Sequence, residues 1–326
     1  LKLLHSWGSQ SEDGVYYNLA RQINASAHTF SSAVSKYGRR NPFKGMCNEL
    51  VTLIPTNATF DMYDAILIDE AQDLPSPFFQ LIYKIAKSPK RIIWAYDELQ
   101  NLSDVEMPSI GEMFGVDQNG HAIINIENRK DEPQRDIILP ICYRNPPWTL
   151  AMAHALGFGI YNEKRSTPLQ TFDNPQMWSD IGYSVVNGEL QAGQQVTIER
   201  SSSANPAYFN NLLTKDSITI EEFSSKEDQY QWVAEKIVQD IKNGELDPDD
   251  ILVIFPDAYS SRTEYAQLSQ YFQVQGIESF LAGVNSSQDT FRIPGAVTCS
   301  GIYRAKGNES PMVYIVNSEY CMTAPE

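Results

Sequence analysis

The sequence has little positive charge. Its 25 lysine and arginine residues stand against 41 aspartate and glutamate residues, giving a formal net charge of −16 over 326 residues. This balance excludes a protein that holds nucleic acid through bulk charge alone, although it permits a local basic groove. No run of about eighteen apolar residues is present, so the sequence predicts no membrane span. The 42% hydrophobic and 11% aromatic content also excludes a disordered tail, a collagen or a coiled coil.

Cysteine and histidine are equally scarce. Cys47, Cys142, Cys299 and Cys321 lie far apart without a C-x-x-C pair, and the four histidines are scattered. This spacing is neither a zinc pattern nor a disulfide framework, so we predict a reducing, cytoplasmic protein without a structural metal. The first residue is Leu1, and no charged-then-apolar leader follows it. We therefore expect the chain to be part of a longer polypeptide.

Short apolar, β-branched runs alternate with helical stretches along the chain. The predicted strands are residues 65–68, 91–96, 217–220, 251–255, 296–299 and 312–316, and the predicted helices are 77–86, about 226–242 and a stretch through 265–271. Continuous apolar strands flanked by helices indicate parallel sheets covered on both faces. The pattern predicts two α/β domains joined near residue 137, with residues 103–135 and 162–215 as turn-rich insertions or linkers.

The strongest chemical signal lies in residues 66–73, which read Ile-Leu-Ile-Asp-Glu-Ala-Gln-Asp. The apolar strand ends in two adjacent carboxylates, Asp69 and Glu70, at the carboxyl edge of a parallel sheet where α/β proteins bind ligands. One carboxylate can hold Mg²⁺ through its water shell, and its neighbour can accept a proton from the water that attacks a γ-phosphate. Acidic pairs also start ordinary loops, but the whole octet is much more specific.

The octet resembles the Walker B motif, D-E-A-Q-D, of the UvrD/Rep-like superfamily I helicases. Three later segments resemble further motifs in the family's order. They are residues 96–100 (Tyr-Asp-Glu-Leu-Gln, motif III), 139–145 (Leu-Pro-Ile-Cys-Tyr-Arg-Asn, motif IV) and 297–309, which contain the Ala-Lys-Gly-Asn-Glu core of motif V. Residues 3–7 also resemble the T-F-H-S-W-like segment that precedes the Walker B strand in this family.

The resemblance implies a fold and an activity. The expected fold is α/β, with tandem RecA-like domains and parallel sheets: residues 1–136 form a partial first domain, and residues 137–326 form a second domain with an insertion near 162–215. The expected activity is that of an ATP-dependent helicase or single-strand translocase that hydrolyses Mg-ATP between the domains. Its cofactors are ATP and Mg²⁺. Its partner is single-stranded nucleic acid, with DNA favoured over RNA, and a partner protein in a larger complex is a further option.

The resemblance also implies roles for residues of the nucleotide site. Asp69 would coordinate Mg²⁺, Glu70 would activate the hydrolytic water, and Gln100 would sense the γ-phosphate. Tyr143, after a predicted strand, would stack on the base of ATP. Arg144 would reach the γ-phosphate as an arginine finger, because its planar fork suits phosphate.

Motif V implies a second group of contacts. Gly307 would let its backbone amide approach a phosphate, and Glu309 would hydrogen-bond the ribose. Tyr303, Arg304 and Lys306 would lie near the strand-binding face.

The densest basic cluster is a separate candidate for contact with nucleic acid. It comprises Lys36, Arg39, Arg40 and Lys44, with Tyr37 as an aromatic residue inside it. Such clusters bind phosphate in some proteins and are merely solvated faces in most.

Simpler interpretations exist for several of these residues. Tyr143 and Cys142 fit core residues after a strand, Arg144 fits a cap on a local carboxylate, and Lys306 fits a solvated lysine.

The match to the family is incomplete. The sequence contains no G-x-x-x-x-G-K-[ST] phosphate loop and no motif VI, which carries a second phosphate-sensing arginine in the family. In motif III, Tyr96 replaces the family's glycine, and residues 101–103 replace its aromatic residues. We therefore expect the 326-residue chain alone to be inactive as an ATPase. Two alternatives stay open: a helicase-like interaction module without ATP turnover, and the ATPase subunit of a nuclease or phage-defence assembly.

Overall fold

The computed structural model describes residues 1–55, 58–97, 100, 108–159, 175–191, 193–211, 217–244, 246–287 and 290–323. The chain divides into two compact units, Leu1–Ile138 and Leu139–Glu326. The sequence pattern placed the division after residue 136. Each unit is an assembly of helices and strands, and the predicted α/β class with parallel sheets is confirmed.

The first unit is mainly helical. Its helices are α1 (Val15–Gln22), α2 (Phe30–Tyr37), α3 (Pro42–Leu53), α4 (Ser76–Ile85) and α5 (Ile110–Phe114), and its strands are β1 (Ile66–Ile68) and β2 (Ile92–Trp94). Thr29 caps α2 by accepting a hydrogen bond from the Ser32 backbone N–H, and Pro42 occupies the start of α3, where no intrahelical N–H bond is lost. β1 and β2 pair in parallel, with Leu67 opposite Ile93.

The core of the first unit forms under one face of this strand pair. Its largest fully buried side chains are Tyr16, Leu19, Met46, Leu50, Phe79, Leu81, Ile82, Ile85 and Met113. Ile68 of β1 belongs to this core, whereas Leu67 and Ile93 are exposed because alternate strand residues face opposite sides. Burial of Ile68 in this core therefore anchors the end of β1 immediately before Asp69.

The second unit contains six helices and six strands among its described residues. The helices are α6 (Pro147–Gly157), α7 (Gln176–Asp180), α8 (Lys226–Lys242), α9 (Ser261–Gln275), α10 (Ile302–Ala305) and α11 (Tyr320–Thr323). The strands are β3 (Tyr183–Asn187), β4 (Thr197–Arg200), β5 (Ile251–Phe255), β6 (Ser279–Leu281), β7 (Val297–Gly301) and β8 (Met312–Ile315).

A four-stranded parallel sheet organises the second unit. Its strand order is β6-β7-β5-β8, so β5 lies inside the sheet, and its continuous Ile-Leu-Val-Ile-Phe run is almost entirely buried. Side chains of α8 and α9, including Tyr230, Ile237, Leu268 and Phe272, share one core with β5 and β7. All four strands are parallel and end at the same edge of the sheet, and the Ala-Lys-Gly-Asn-Glu core of motif V follows β7 at this edge.

Two expected strands do not form. Residues 217–220 are irregular, and both Ile218 and Ile220 are exposed. Residues 137–142, which precede Tyr143 and Arg144, also lack strand structure, and Ile137 and Leu139 are exposed. Both runs have apolar residues of high strand propensity, but strand propensity mainly reflects packing on neighbouring strands and burial, and neither run is buried.

The expected insertion or linker at residues 162–215 is partly a folded element. Residues 160–174, 192 and 212–216 lie outside the described residues, as does part of the expected insertion at 103–135. In the remainder, β3 and β4 form an antiparallel hairpin, and Tyr183 of β3 and Trp178 of α7 form a small core with Phe158, which follows α6. Three aromatic side chains therefore give this part its own packing.

No helix within the described ranges combines the length and the apolar character needed to cross a membrane.

Candidate functional site

The two carboxylates of the Walker B-like octet lie at the predicted edge of the strand pair. Asp69 follows β1 directly, and its Oδ1 accepts a hydrogen bond from the Glu70 backbone N–H at 3.0 Å. Glu70 has a left-handed backbone conformation, with φ of 50°, which is uncommon for a residue other than glycine. The Ala71 N–H donates to the Ala95 carbonyl at 2.9 Å, so this turn is fastened to the end of β2.

Gln72 connects the octet to motif III. It is only 7% exposed. Its Nε2 donates to Glu70 Oε2 at 2.6 Å, and its Oε1 accepts from the Asp97 backbone N–H at 3.1 Å. Asp97 Oδ2 in turn accepts from Gln100 Nε2 at 2.8 Å. A buried amide needs partners for both its oxygen and its nitrogen, and Gln72 meets this need by joining the ends of β1 and β2.

The sequence assigned no role to Gln72, although it lies inside the octet. Its position between the carboxylates of Glu70 and Asp73 was the available signal. Within motif III, Glu98 and Leu99 lie outside the described residues, as do residues 101–103, which replace the family's aromatic residues.

The carboxylate pair is chemically suited to Mg²⁺ bound to a nucleotide. Carboxylate oxygens are hard ligands, and Mg²⁺ usually keeps several waters and binds through one or two carboxylates together with substrate phosphates. Among the described residues, no group of three or more His, Cys, Asp or Glu side chains is arranged to hold a metal ion. The Asp69 carboxylate is exposed and follows β1 directly.

Motif IV and motif V meet through Arg144 and Glu309. The Arg144 Nε lies 3.0 Å from Glu309 Oε2, and the two side chains are 50% and 68% exposed. Exposed ion pairs of this kind contribute about 0–1 kcal/mol to stability. The simpler interpretation, that Arg144 contacts a carboxylate, is confirmed. That carboxylate is Glu309, which is itself a candidate contact for the ribose.

Tyr143 is not a core residue. Its side chain is 67% exposed, so the interpretation as a buried residue after a strand is wrong. Neighbouring Cys142 is partly buried, and its Sγ accepts a hydrogen bond from the Asn145 N–H at 3.4 Å. An exposed aromatic ring beside Arg144 is available for stacking on a planar group.

The motif V turn depends on Gly307. This residue has φ of 80°, and a Cβ added to it would meet no heavy atom within 4 Å. The turn therefore needs glycine for its left-handed backbone, not for lack of space, and its backbone is open to an approaching ligand. Arg292 steadies the end of the turn by donating hydrogen bonds to the Glu309 carbonyl and, at 3.3 Å, to Ser310 Oγ.

The three expected strand contacts of motif V differ in exposure. Tyr303 is exposed on α10, and Lys306 is partly buried. The guanidinium of Arg304 packs on Gly283, where a Cβ would lie only 2.8 Å from the Arg304 Cζ. Arg304 is therefore directed at the neighbouring loop of its own unit.

The basic cluster is partly neutralised by one carboxylate. Lys36 Nζ lies 2.7 Å from Glu49 Oε2, which also accepts from the Tyr37 hydroxyl and lies 3.1 Å from His28 Nε2. These hydrogen bonds, first that from Lys36, lower the pKa of Glu49 to about 2. Arg39 and Arg40 follow Gly38 in an exposed turn.

A cleft of about 510 Å³ lies beside the segment at residues 3–7. Its lining includes His5, Trp7, Tyr17 and Phe30. The Trp7 and Phe30 rings are tilted, with centroids 5.8 Å apart, and Phe30 is exposed. Sequence reasoning did not identify Phe30, because a single phenylalanine at the start of an amphipathic helix is ordinarily a core residue.

The structure thus joins Glu70 to Gln100 through Gln72 in the first unit, and Arg144 to Glu309 in the second. No protein-family model and no curated protein matches this chain. The function proposed below is therefore inferred from the residues and their geometry.

Proposed function

We propose that this chain belongs to an ATP-dependent nucleic-acid helicase or single-strand translocase of UvrD/Rep type, built on tandem RecA-like domains. The observation that carries the proposal is the hydrogen-bonded series Glu70–Gln72–Asp97–Gln100. It connects the residue expected to activate water with the residue expected to sense the γ-phosphate. Such a connection is what a nucleotide-hydrolysing site needs in order to report its state to other parts of the protein.

The first unit supplies the base of the proposed reaction. Glu70 accepts a proton from the water that attacks the γ-phosphorus, the bond between that phosphorus and the bridging oxygen breaks, and ADP and phosphate leave. Asp69 holds Mg²⁺, which supplies neutralising charge to the phosphate oxygens when bound. Gln72 keeps the Glu70 carboxylate in place, because its amide donates to one carboxylate oxygen and is itself fastened to β2.

The second unit supplies charge and nucleotide contacts. Arg144 stabilises the negative charge on the transferred phosphoryl group, and Glu309 accepts a hydrogen bond from the ribose. Tyr143 stacks on the base, and the open backbone of Gly307 approaches a phosphate. Arg144 and Glu309 are both exposed on the same unit. Because exposed ion pairs are weak, the two side chains can separate at little cost and contact a nucleotide, which fits these roles.

The proposed activity also needs a cradle for the phosphates and a site for single-stranded nucleic acid. The 326 residues contain no G-x-x-x-x-G-K-[ST] loop, so the cradle for the β- and γ-phosphates is assigned to residues outside them. The strand is single-stranded nucleic acid, with DNA favoured. Its proposed contacts are Tyr303, Lys306, Arg39 and Arg40, which combine ring stacking with cationic charge.

Strand-dependent ATP hydrolysis tests this function. The protein expressed from its own gene should hydrolyse Mg-ATP faster with single-stranded DNA than with duplex DNA or with no nucleic acid. The measurement is steady-state phosphate release at saturating ATP. Absence of hydrolysis with every strand tested, in a protein that is folded by circular dichroism, would refute the proposal.

A second candidate function is a helicase-like interaction module without ATP turnover. The Arg144–Glu309 pair favours it, because the two side chains satisfy each other without a nucleotide. The two candidates differ in one measurement. Phosphate release from Mg-ATP is measurable for the ATPase and absent for the module, whether or not the module binds the nucleotide.

A further inference from the structure

Arg200 fastens the β3–β4 hairpin to the motif IV segment, defined as residues 139–145. Its guanidinium donates to the carbonyl of Pro140 at 2.7 Å, to that of Ile181 at 2.8 Å and to that of Ala204 at 3.0 Å. A further bond from its Nε reaches Asn205 Oδ1 at 2.8 Å. One planar side chain thus holds four acceptors, which its fixed fork of donors allows.

Gly182 makes this approach possible. Its φ is 95°, and a Cβ at this position would lie 2.4 Å from the Ala204 Cβ and 3.2 Å from the Pro140 carbonyl oxygen. No other residue fits this turn without displacing the neighbouring chain. The hairpin and the motif IV segment therefore meet at a contact closer than a side chain would permit.

Two more contacts follow along motif IV. The Tyr208 hydroxyl donates to the carbonyl of Tyr143 at 2.6 Å. Beyond the segment, the Tyr183 hydroxyl lies 2.9 Å from Nδ1 of His154 in α6. Arg200, Tyr208 and Tyr183 thus hold the chain before, at and after the Tyr143–Arg144 pair.

The segment itself has little other order. Residues 139–145 form neither helix nor strand, and Leu139, Tyr143 and Arg144 are exposed. Fixing an irregular backbone costs conformational entropy, so groups that act on a reacting phosphate need outside support to keep a productive geometry. Besides the exposed Arg144–Glu309 ion pair and the local hydrogen bond from the Asn145 N–H to Cys142, the support for this segment comes from Arg200 and Tyr208.

We propose that Arg200 and Tyr208 are positioning residues that preset Tyr143 and Arg144 for nucleotide. This inference rests on the proposed ATPase function. It gives the β3–β4 hairpin and Tyr208 a role: they orient the proposed base-stacking ring and the proposed phosphate-directed guanidinium. Loss of the Tyr208 hydroxyl frees the Tyr143 carbonyl and loosens both side chains, without removing either.

The test uses Tyr208→Phe and Arg200→Lys in the protein expressed from its own gene. Tyr259→Phe and Arg262→Lys are matched controls at exposed positions of the same unit. The first readout is the alkylation rate of Cys142, measured by peptide mass spectrometry relative to exposed Cys321. Because Cys142 lies inside the motif IV segment, its thiol reports local opening without any nucleotide.

The second readout is ATPase kinetics, which a merely structural role would leave unchanged in the folded fraction. We expect severalfold faster Cys142 alkylation in both variants, a raised KM for ATP through Tyr143, and kcat lowered by up to about 10²-fold through Arg144. Both controls should match the unaltered protein.

The outcomes separate the two proposals. Alkylation and kinetics equal to those of the controls would overturn the positioning role. Faster alkylation with unchanged KM and kcat would also overturn it, because the segment would then be loosened without consequence for the nucleotide. If the unaltered protein hydrolyses no ATP, the proposed function fails, and the positioning role for nucleotide fails with it, whereas the alkylation result still reports whether the hairpin orders the segment.

Discussion

The Arg144 guanidinium and the Glu309 carboxylate lie 3.0 Å apart, although one belongs to the motif IV segment and the other follows β7. Both side chains are largely exposed, so the pair is a weak one. A bound nucleotide could exchange the pair for a phosphate contact by Arg144 and a ribose contact by Glu309. The ion pair therefore keeps the two proposed nucleotide contacts together at little energetic cost.

The exposure of Arg144 predicts that its removal affects turnover far more than stability. Arg144→Ala should lower kcat by about 10³-fold or more, as the loss of other arginine fingers does. The melting temperature should shift by no more than a few degrees, because only an exposed pair is lost. Arg144→Lys should restore little activity, since an ammonium lacks the planar fork. ATPase rate and thermal melting, measured on the same samples, check both statements.

A contrary result for Arg144 has a clear form. If Arg144→Ala melts many degrees lower while its folded fraction hydrolyses ATP at the normal rate, the residue is a structural partner of Glu309.

Gln72 should be important for stability as well as for activity. Gln72→Leu removes the donor to Glu70 and the acceptor of the Asp97 N–H, and these two lost hydrogen bonds together should cost about 1–3 kcal/mol. The control Gln10→Leu, at an exposed position, should stay within about 0.5 kcal/mol. Urea unfolding monitored by tryptophan fluorescence gives both values. Equal free energies of unfolding for the two variants would show that the Gln72 hydrogen bonds do not contribute to stability.

Glu49 predicts a specific acid sensitivity. Its pKa falls from an ordinary value of 4.5 to about 2, first through the Lys36 hydrogen bond. A carboxylate with a lowered folded-state pKa adds stability above its unfolded pKa and loses that stability as the pH falls towards the folded value. The stability difference between the unaltered protein and Glu49→Gln should therefore be full at pH 6 and shrink between about pH 4.5 and 2. Urea titrations at several pH values measure it, and a difference that stays constant over this range would contradict the assignment.

Arg39 and Arg40 should contribute more than Lys36 to strand binding, because Lys36 already pairs with Glu49. For single strands, each lost phosphate contact reduces the slope of log affinity against log salt by about 0.7. The double variant Arg39→Gln/Arg40→Gln should reduce the slope by about 1.4 if both residues touch phosphate, and Lys36→Gln should change it much less. Fluorescence anisotropy of a labelled oligonucleotide at four salt concentrations gives the slopes. Equal slopes for the double variant and the unaltered protein would exclude this cluster from the strand site.

The elements that were predictable from the sequence are those with strong local patterns. β5 reads as a continuous apolar run of five residues. Such a run indicates a buried strand inside a parallel sheet, and the structure pairs β5 with β7 on one side and β8 on the other. The positions of Asp69 and Glu70 followed from the end of such a run. α8 was predictable for a related reason: its Tyr230, Val233, Ala234 and Ile237 recur at helical spacing.

The rest depended on tertiary contacts that no local pattern contains. Residues 217–220 have strand-forming side chains but lie exposed, so propensity gave the wrong prediction. The β3–β4 hairpin was missed because its turn-rich sequence resembles a linker, while its order depends on Trp178 and Tyr183. The contacts of Gln72 and Arg200 join segments distant in sequence, and an isolated glutamine or arginine carries no sign of such partners.

The most direct test of the account is Glu70→Gln in the protein expressed from its own gene, with the exposed Glu12→Gln as the control. This change removes the proposed base but keeps a side chain of the same size, and Asp69 still serves the metal. Single-turnover hydrolysis and equilibrium binding of Mg-ATP are measured together. We predict that binding stays close to that of the unaltered protein while hydrolysis slows by orders of magnitude. Unchanged hydrolysis in Glu70→Gln would show that Glu70 is not the base, which contradicts the central claim.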